Sequence, residues 1–271
     1  MSQKPQSKVA LVAGASGIVG SKLVKTLLQN EWQVIGLSRA GGAHRGTVPF
    51  VNVDLLNEKD TARALKPLRH VTHIFYSAWL NAASWREMVE PNVTMLRNLV
   101  TQVENVAPLE TVSLMQGYKI YGAHLGPFKT PARESDAAIP GAEFNTAQQD
   151  WLCRFQHHKT WHWHALRPGV VGSALTGNTM NLALSIAIYA SLCKAQNLPL
   201  RFPGSQRTWH SIIDHTDDSL LSAATLWAST ASSARNQAFN INNGDIWRWC
   251  ELWPLIAGWF ELETRSEERR V

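Results

Sequence analysis

The segment Gly14-Ala15-Ser16-Gly17-Ile18-Val19-Gly20 constrains this chain more than any other, because of what flanks it. Before it, Val9-Ala10-Leu11-Val12-Ala13 has the composition of a buried strand. After it, Ser21 to Leu28 carries apolar residues at helical spacing, and Trp32 to Leu37 reads as a second strand. Strand, glycine turn, helix and strand make a βαβ unit. Glycines at such a turn let the backbone approach a pyrophosphate, whose charge then meets N–H groups at the helix N-terminus. The unit therefore predicts a dinucleotide site in which Gly14, Ser16, Gly17, Ile18 and Val19 face the phosphates.

The alternation continues downstream. Ser38-Arg39 follows the second strand, where an NAD-binding chain usually carries an acid to hold the ribose 2′-OH. An arginine there pairs instead with a 2′-phosphate, which favours NADP(H). Val51 to Leu55 reads as a third strand that places Asp54 and Leu55 near the adenine, and a polar helix follows from Glu58 to Leu68. His73 to Trp79 is a fourth strand, and a helix over Asn92 to Asn105 leads to a fifth, Glu110 to Met115. Trp163 to Arg167 is a sixth, closed by Pro168-Gly169. Ligands of open parallel sheets bind at the strands' C-terminal edge, which adds Ser77, Ala78, Gln116, Pro168, Gly169 and Val170 to the expected cofactor contacts. The fold class is α/β, a Rossmann-type doubly wound parallel sheet with a small, truncated C-terminal substrate lobe. Residues 1–171 form the NADP(H)-binding domain and residues 172–271 the lobe, interleaved with it. Helical pattern from Met180 to Gln196, a Leu200-Arg201-Phe202 piece and a helix over Asp217 to Ala228 belong to that lobe.

Composition narrows the partners. The net charge of +5 is spread along 271 residues without a Lys/Arg cluster of the nucleic-acid type, so an anionic cofactor is the simpler partner. Cys153, Cys193 and Cys250 are odd in number and unpaired in spacing, against a disulfide framework or zinc site. Met1 to Ser7 lacks an apolar signal core, and the apolar stretch from Met180 to Cys193 is too short to span a bilayer. A soluble, reducing, cytoplasmic setting is expected. His157, His158, His162 and His164 have no Cys or second carboxylate at ligand spacing, which points to packing or surface roles and no metal.

A Tyr and a Lys four apart on one helix would provide a phenol of lowered pKa for proton exchange with a substrate oxygen. The four tyrosines, Tyr76, Tyr118, Tyr121 and Tyr189, are followed at that spacing by Leu80, Gly122, Leu125 and Cys193. The absence disfavours a nucleotide-sugar epimerase or dehydratase. Attention moves to Met115-Gln116-Gly117-Tyr118-Lys119-Ile120-Tyr121-Gly122, which delivers Lys119 just past the fifth strand.

Here the chain resembles the progesterone 5β-reductase and iridoid synthase-like family, atypical extended short-chain dehydrogenases that reduce activated C=C bonds of enones with NADPH. The resemblance rests on Gly17-Ile18-Val19-Gly20, Arg39, Phe75-Tyr76-Ser77-Ala78-Trp79 and Gly117-Tyr118-Lys119-Ile120-Tyr121. It continues through Asn92-Val93-Thr94-Met95-Leu96-Arg97-Asn98, Arg167-Pro168-Gly169 and Asn243-Gly244-Asp245-Ile246-Trp247 with Trp253-Pro254. It implies that Lys119 is the catalytic lysine, stabilising the enolate oxygen of an enone or carbonyl substrate.

Two departures accompany it. The family's catalytic tyrosine lies in an FYY-like stretch, and the match here is Phe144-Asn145-Thr146, so Thr146 or nearby Tyr121 is left to donate. The family also continues well past the final tryptophan-rich stretch. Trp247, Trp249, Trp253 and Trp259 are therefore expected to leave an exposed aromatic patch that favours self-association as a homodimer. Two rival readings stay open: a catalytically silent NADP(H)-binding, redox-sensing protein, and the disfavoured epimerase or dehydratase.

Overall fold

A computed structural model describes residues 8–39, 44–45, 48–139, 143–175 and 181–265. The chain divides into two compact units: residues 1–168 with 219–241, and residues 169–218 with 242–271.

In the first unit, every residue of β1 (Val9–Ala13) is buried. Leu11 and Ala13 join one apolar cluster while Ala10 and Val12 join another, so alternate side chains feed opposite faces of the sheet. The elements that follow are α1 (Ile18–Gln29), β2 (Gln33–Ser38), β3 (Val48–Asn52), α2 (Glu58–Leu65), β4 (His73–Tyr76), α3 (Trp85–Val106), β5 (Thr111–Met115), α4 (Phe144–Gln156) and β6 (His162–Pro168). After an excursion into the second unit come α5 (Asp218–Thr230) and β7 (Gln237–Ile241). The strands lie in the order β7-β6-β5-β4-β1-β2-β3, all parallel, with the short strand His44–Arg45 antiparallel on the β3 edge. This is the expected doubly wound sheet. Its order reverses between β1 and β4, where such sheets open a crevice for ligands.

Three boundaries differ from the sequence reading. Strand β3 ends at Asn52 because Asp54 turns the chain: its Oδ1 accepts from Leu56 N at 3.1 Å and its carbonyl from Asn57 N at 3.0 Å. Helix α3 starts at Trp85, capped by the Ser84 side chain, and runs through Pro91. The helix expected over Asp217 to Ala228 in the lobe belongs from Ser219 onward to the first unit. Ser222 Oγ accepts from Thr26 Oγ1 of α1 at 3.0 Å, Leu226 packs on the Ala10 and Val12 cluster, and β7 then pairs with β6.

The second unit holds a three-stranded sheet of Val170–Gly172, Ile212–Asp217 and Ile246–Arg248, a two-stranded one of Leu200–Arg201 and Thr264–Arg265, and helices including Leu182–Ala195 and Trp249–Trp259. Its core corrects the expected exposed aromatic patch. Trp249 and Trp253 are buried, Trp253 Nε1 donates to Leu200 O at 3.2 Å, and Phe202 meets Trp253 edge-on at 5.2 Å. Only Trp259 of the four stands exposed. No described helix is long and apolar enough to cross a membrane.

Candidate active site

The glycine turn sits at the sheet's reversal point. Gly14 has φ +85°, and a Cβ there would lie 2.7 Å from Ser77 Oγ and 2.9 Å from Ala78 N, so only glycine fits between β1 and the end of β4. A Cβ at Gly20 would stand 2.2 Å from Gly14 O, which forces helix and turn together. Gly17 N donates to Gly14 O at 2.9 Å, and α1 then begins with no side-chain cap and no acid in its first turn. Ser16 is exposed beside it, and Ile18 and Val19 are half-buried. An uncapped N-terminus behind a tight glycine turn fits a pyrophosphate.

The remaining expected contacts fall into several environments. Arg39 is exposed past β2 and makes no ion pair among the described residues, while Ser38 O accepts from Val53 N at 3.0 Å. Asp54 is exposed in its turn. Leu55 has its side chain in the core, and its carbonyl accepts from Asn98 Nδ2 at 2.8 Å. Ser77 Oγ donates to Ala13 O at 3.0 Å, bracing the turn, and Ala78 packs on the core. Pro168 closes β6. Gly169 and Val170 belong to the second unit, where Gly169 N donates to Thr216 Oγ1 at 3.0 Å and Val170 pairs with His215.

Lys119 lies on a single 3-10 turn, Tyr118–Tyr121, just past β5. Its ammonium is 4.3 Å from the centroid of the Trp85 ring. Burial pushes its pKa down, opposed by the negative charge of Glu143. Sequence reasoning missed Glu143. It is 1% exposed and caps α4: its carboxylate accepts from Asn145 N at 2.9 Å, Asn145 Nδ2 at 2.6 Å and Thr146 N at 3.3 Å. Burial raises its pKa, and those amides and then Lys119 pull it back. The available signal was an acid immediately before a helical run, the position of an N-cap. The first turn of α4 also holds Thr146, whose hydroxyl is buried and has no hydrogen-bond partner among the described residues. Buried hydroxyls are nearly always paired, which singles this one out.

Tyr121 and Gln116 are both tied to Arg167. The Tyr121 hydroxyl donates to Asn240 Oδ1 and accepts from Arg167, both at 2.7 Å, which leaves it committed within the fold. Gln116 is likewise consumed: Nε2 donates to Asn145 O and Oε1 accepts from Arg167 Nε, both at 3.0 Å. Arg167 is 3% exposed and also donates to Glu134 O at 3.2 Å and Gln149 Oε1 at 3.0 Å. One guanidinium thus fastens β5, the Lys119 turn, the Glu134 loop and α4 to the end of β6.

Residues 52–269 match the PRISE-like Rossmann-fold domain family. The chain belongs to that family. Among relatives of this PRISE-like chain, the 3-oxo-Δ(4,5)-steroid 5-beta-reductase of Arabidopsis thaliana is 33% identical across 96% of the chain and 71% of the relative. An (S)-8-oxocitronellyl enol synthase of Camptotheca acuminata is 32% identical across 94% and 70%. The resemblance carried by the Gly17–Gly20, Lys119 and Asn243–Trp247 segments is thereby borne out. In fold alone the chain is similar to the UDP-glucose 4-epimerase of Thermus thermophilus solved with NAD, at TM-score 0.74 and 21% identity, covering 96% of this chain and 85% of that one.

Proposed function

We propose that this chain is an NADPH-dependent oxidoreductase of the short-chain dehydrogenase superfamily that reduces an activated C=C bond of an enone, or a carbonyl, in a small-molecule substrate. The observation that carries this reading is Lys119, a partly desolvated ammonium on a braced turn just past β5. The names of its reductase and enol synthase relatives support it. A reduced nicotinamide bound along the glycine turn would supply hydride. The α1 N-terminus receives the pyrophosphate, and Arg39, uncompensated at the end of β2, takes the 2′-phosphate. Lys119 donates to the substrate oxygen as negative charge collects there, and the Thr146 hydroxyl is the second donor. Glu143 keeps the lysine charged against desolvation. Its three cysteines at unpaired spacings suit a cytoplasmic setting.

The test follows NADPH absorbance against a panel of enones and ketones, with calorimetric NADPH binding in parallel. A Lys119→Met variant is expected to lose on the order of 10²–10³ in kcat while NADPH binding persists. Full activity in that variant defeats the role of Lys119. The threonine in place of a phenol favours one second reading, a silent NADP(H)-binding protein, and tight NADPH binding without turnover of any substrate would select it.

A further inference from the structure

The sheet's opposite edge, where the strands begin, carries features that the reductase reading does not use. His73 of β4 is in register with Thr111 of β5, and Thr111 with His162 of β6. His164 follows two residues on, so all three imidazoles share one face of the sheet. A cavity of about 360 Å³ opens over that face, within the first unit. Its floor is polar: His73 is 2% exposed, His164 is 1% exposed, and His164 Nε2 is buried without a hydrogen-bond partner among the described residues. His73 is satisfied, with Nδ1 2.8 Å from Thr72 Oγ1 and the Ser229 carbonyl facing its ring. The unmatched buried nitrogens of the lining, among the described residues, are therefore His164 Nε2 and His162 Nδ1.

The rim is cationic. Lys8 and Arg235 are exposed lining residues that make no ion pair among the described residues, and Glu110 is the single carboxylate in the lining. Lys8 Nζ is held 5.2 Å from the centroid of Trp32. Two free cations above a buried ring nitrogen suit a ligand that is negatively charged and accepts hydrogen bonds. A divalent cation does not suit it: no group of three metal-binding side chains occurs among the described residues.

We propose that this cavity is a second binding site, for a small oxyanion of the phosphate or carboxylate type, held between Lys8 and Arg235 with one oxygen on the His164 ring. Burial holds the His164 ring neutral, so it serves the anion as an N–H donor rather than as a charge. The other titratable groups facing the cavity are His73, His162 and Glu110, of which only Glu110 opposes the anion at neutral pH.

The test titrates inorganic phosphate, and separately acetate, into the full chain by calorimetry at about pH 8 and about pH 6, with the histidine rings followed by nitrogen NMR. Saturable binding is expected at both pH values. The Lys8→Gln/Arg235→Gln double variant, which alters only exposed side chains, should weaken it at least roughly tenfold. The His164 signals should move, and Arg39→Ala should leave the binding unchanged. Saturation by phosphate alone or acetate alone fixes the oxyanion type. The proposal is overturned if neither anion saturates, or if the His164 signals stay still. It is overturned equally if binding survives the double variant but is lost in Arg39→Ala, which would put the anion at the glycine turn.

Discussion

Replacing His164 by glutamine should flatten the chain's acid sensitivity by a calculable amount. Burial pushes the His164 pKa down to about 3, with the neighbouring His73 charge adding to the effect. Burial likewise lowers His73, to about 4. In the unfolded chain both rings titrate near the ordinary value of about 6.5. A lowered folded pKa means that the native state prefers the neutral ring. Its contribution is complete above about pH 6.5 and is lost as pH falls from there toward the folded values. Between about pH 7.5 and pH 5 each ring then costs about 2 kcal/mol of stability, or about 4 kcal/mol for the pair. His164→Gln removes one titration and leaves an amide able to hydrogen-bond in the same place. Urea unfolding of both proteins at the two pH values, in buffer free of phosphate, isolates the difference, because all other titrating groups are common to both. The variant should lose about 2 kcal/mol less than the parent on acidification. Equal losses would refute the argument, as would a His164 ring that titrates by NMR near its ordinary value in the folded chain.

Three further outcomes follow from the site. Arg39→Ala should weaken NADPH by roughly ten- to a hundredfold, the worth of charged hydrogen bonds to a 2′-phosphate, and spare NADH, as calorimetry would show. Gly20→Ala introduces a Cβ 2.2 Å from the Gly14 carbonyl, which must move. A loss of about 1–3 kcal/mol in chemical denaturation, together with weakened NADPH binding, is expected. Glu143→Gln removes the charge that supports the Lys119 ammonium but keeps an oxygen to cap α4, so helicity should persist. The Lys119 pKa should fall further, moving the alkaline limb of the enone pH–rate profile to lower pH; an unmoved limb would separate the two residues.

What the chain disclosed in advance follows the range of the interactions involved. The β1–α1–β2 unit was legible because its signals are local: a fully apolar strand, a turn only glycine can make, and a helix whose buried Gly20, Leu23, Val24 and Leu27 recur at helical spacing. Lys119 was legible because it follows a strand end directly. The misplaced helix α5 has no comparable signal, since Thr26 and Ser222 meet across 196 residues and only packing assigns the helix to the sheet. The partners of Tyr121 and Gln116 were hidden for the same reason. Each offers a polar group at the active edge, and each is taken by Arg167, which is 46 residues from the first and 51 from the second. Every hydrogen-bond partner of that guanidinium is a neutral oxygen, so its charge is desolvated yet not cancelled by a bound carboxylate. Such a group would be costly as a mere strut, because neutral acceptors offset only part of the charge's lost hydration. The buried carboxylate at this edge is Glu143, which caps α4 and faces Lys119. The edge therefore sets the Lys119 ammonium and the buried Arg167 guanidinium on the side of the sheet where the proposed reaction gathers negative charge.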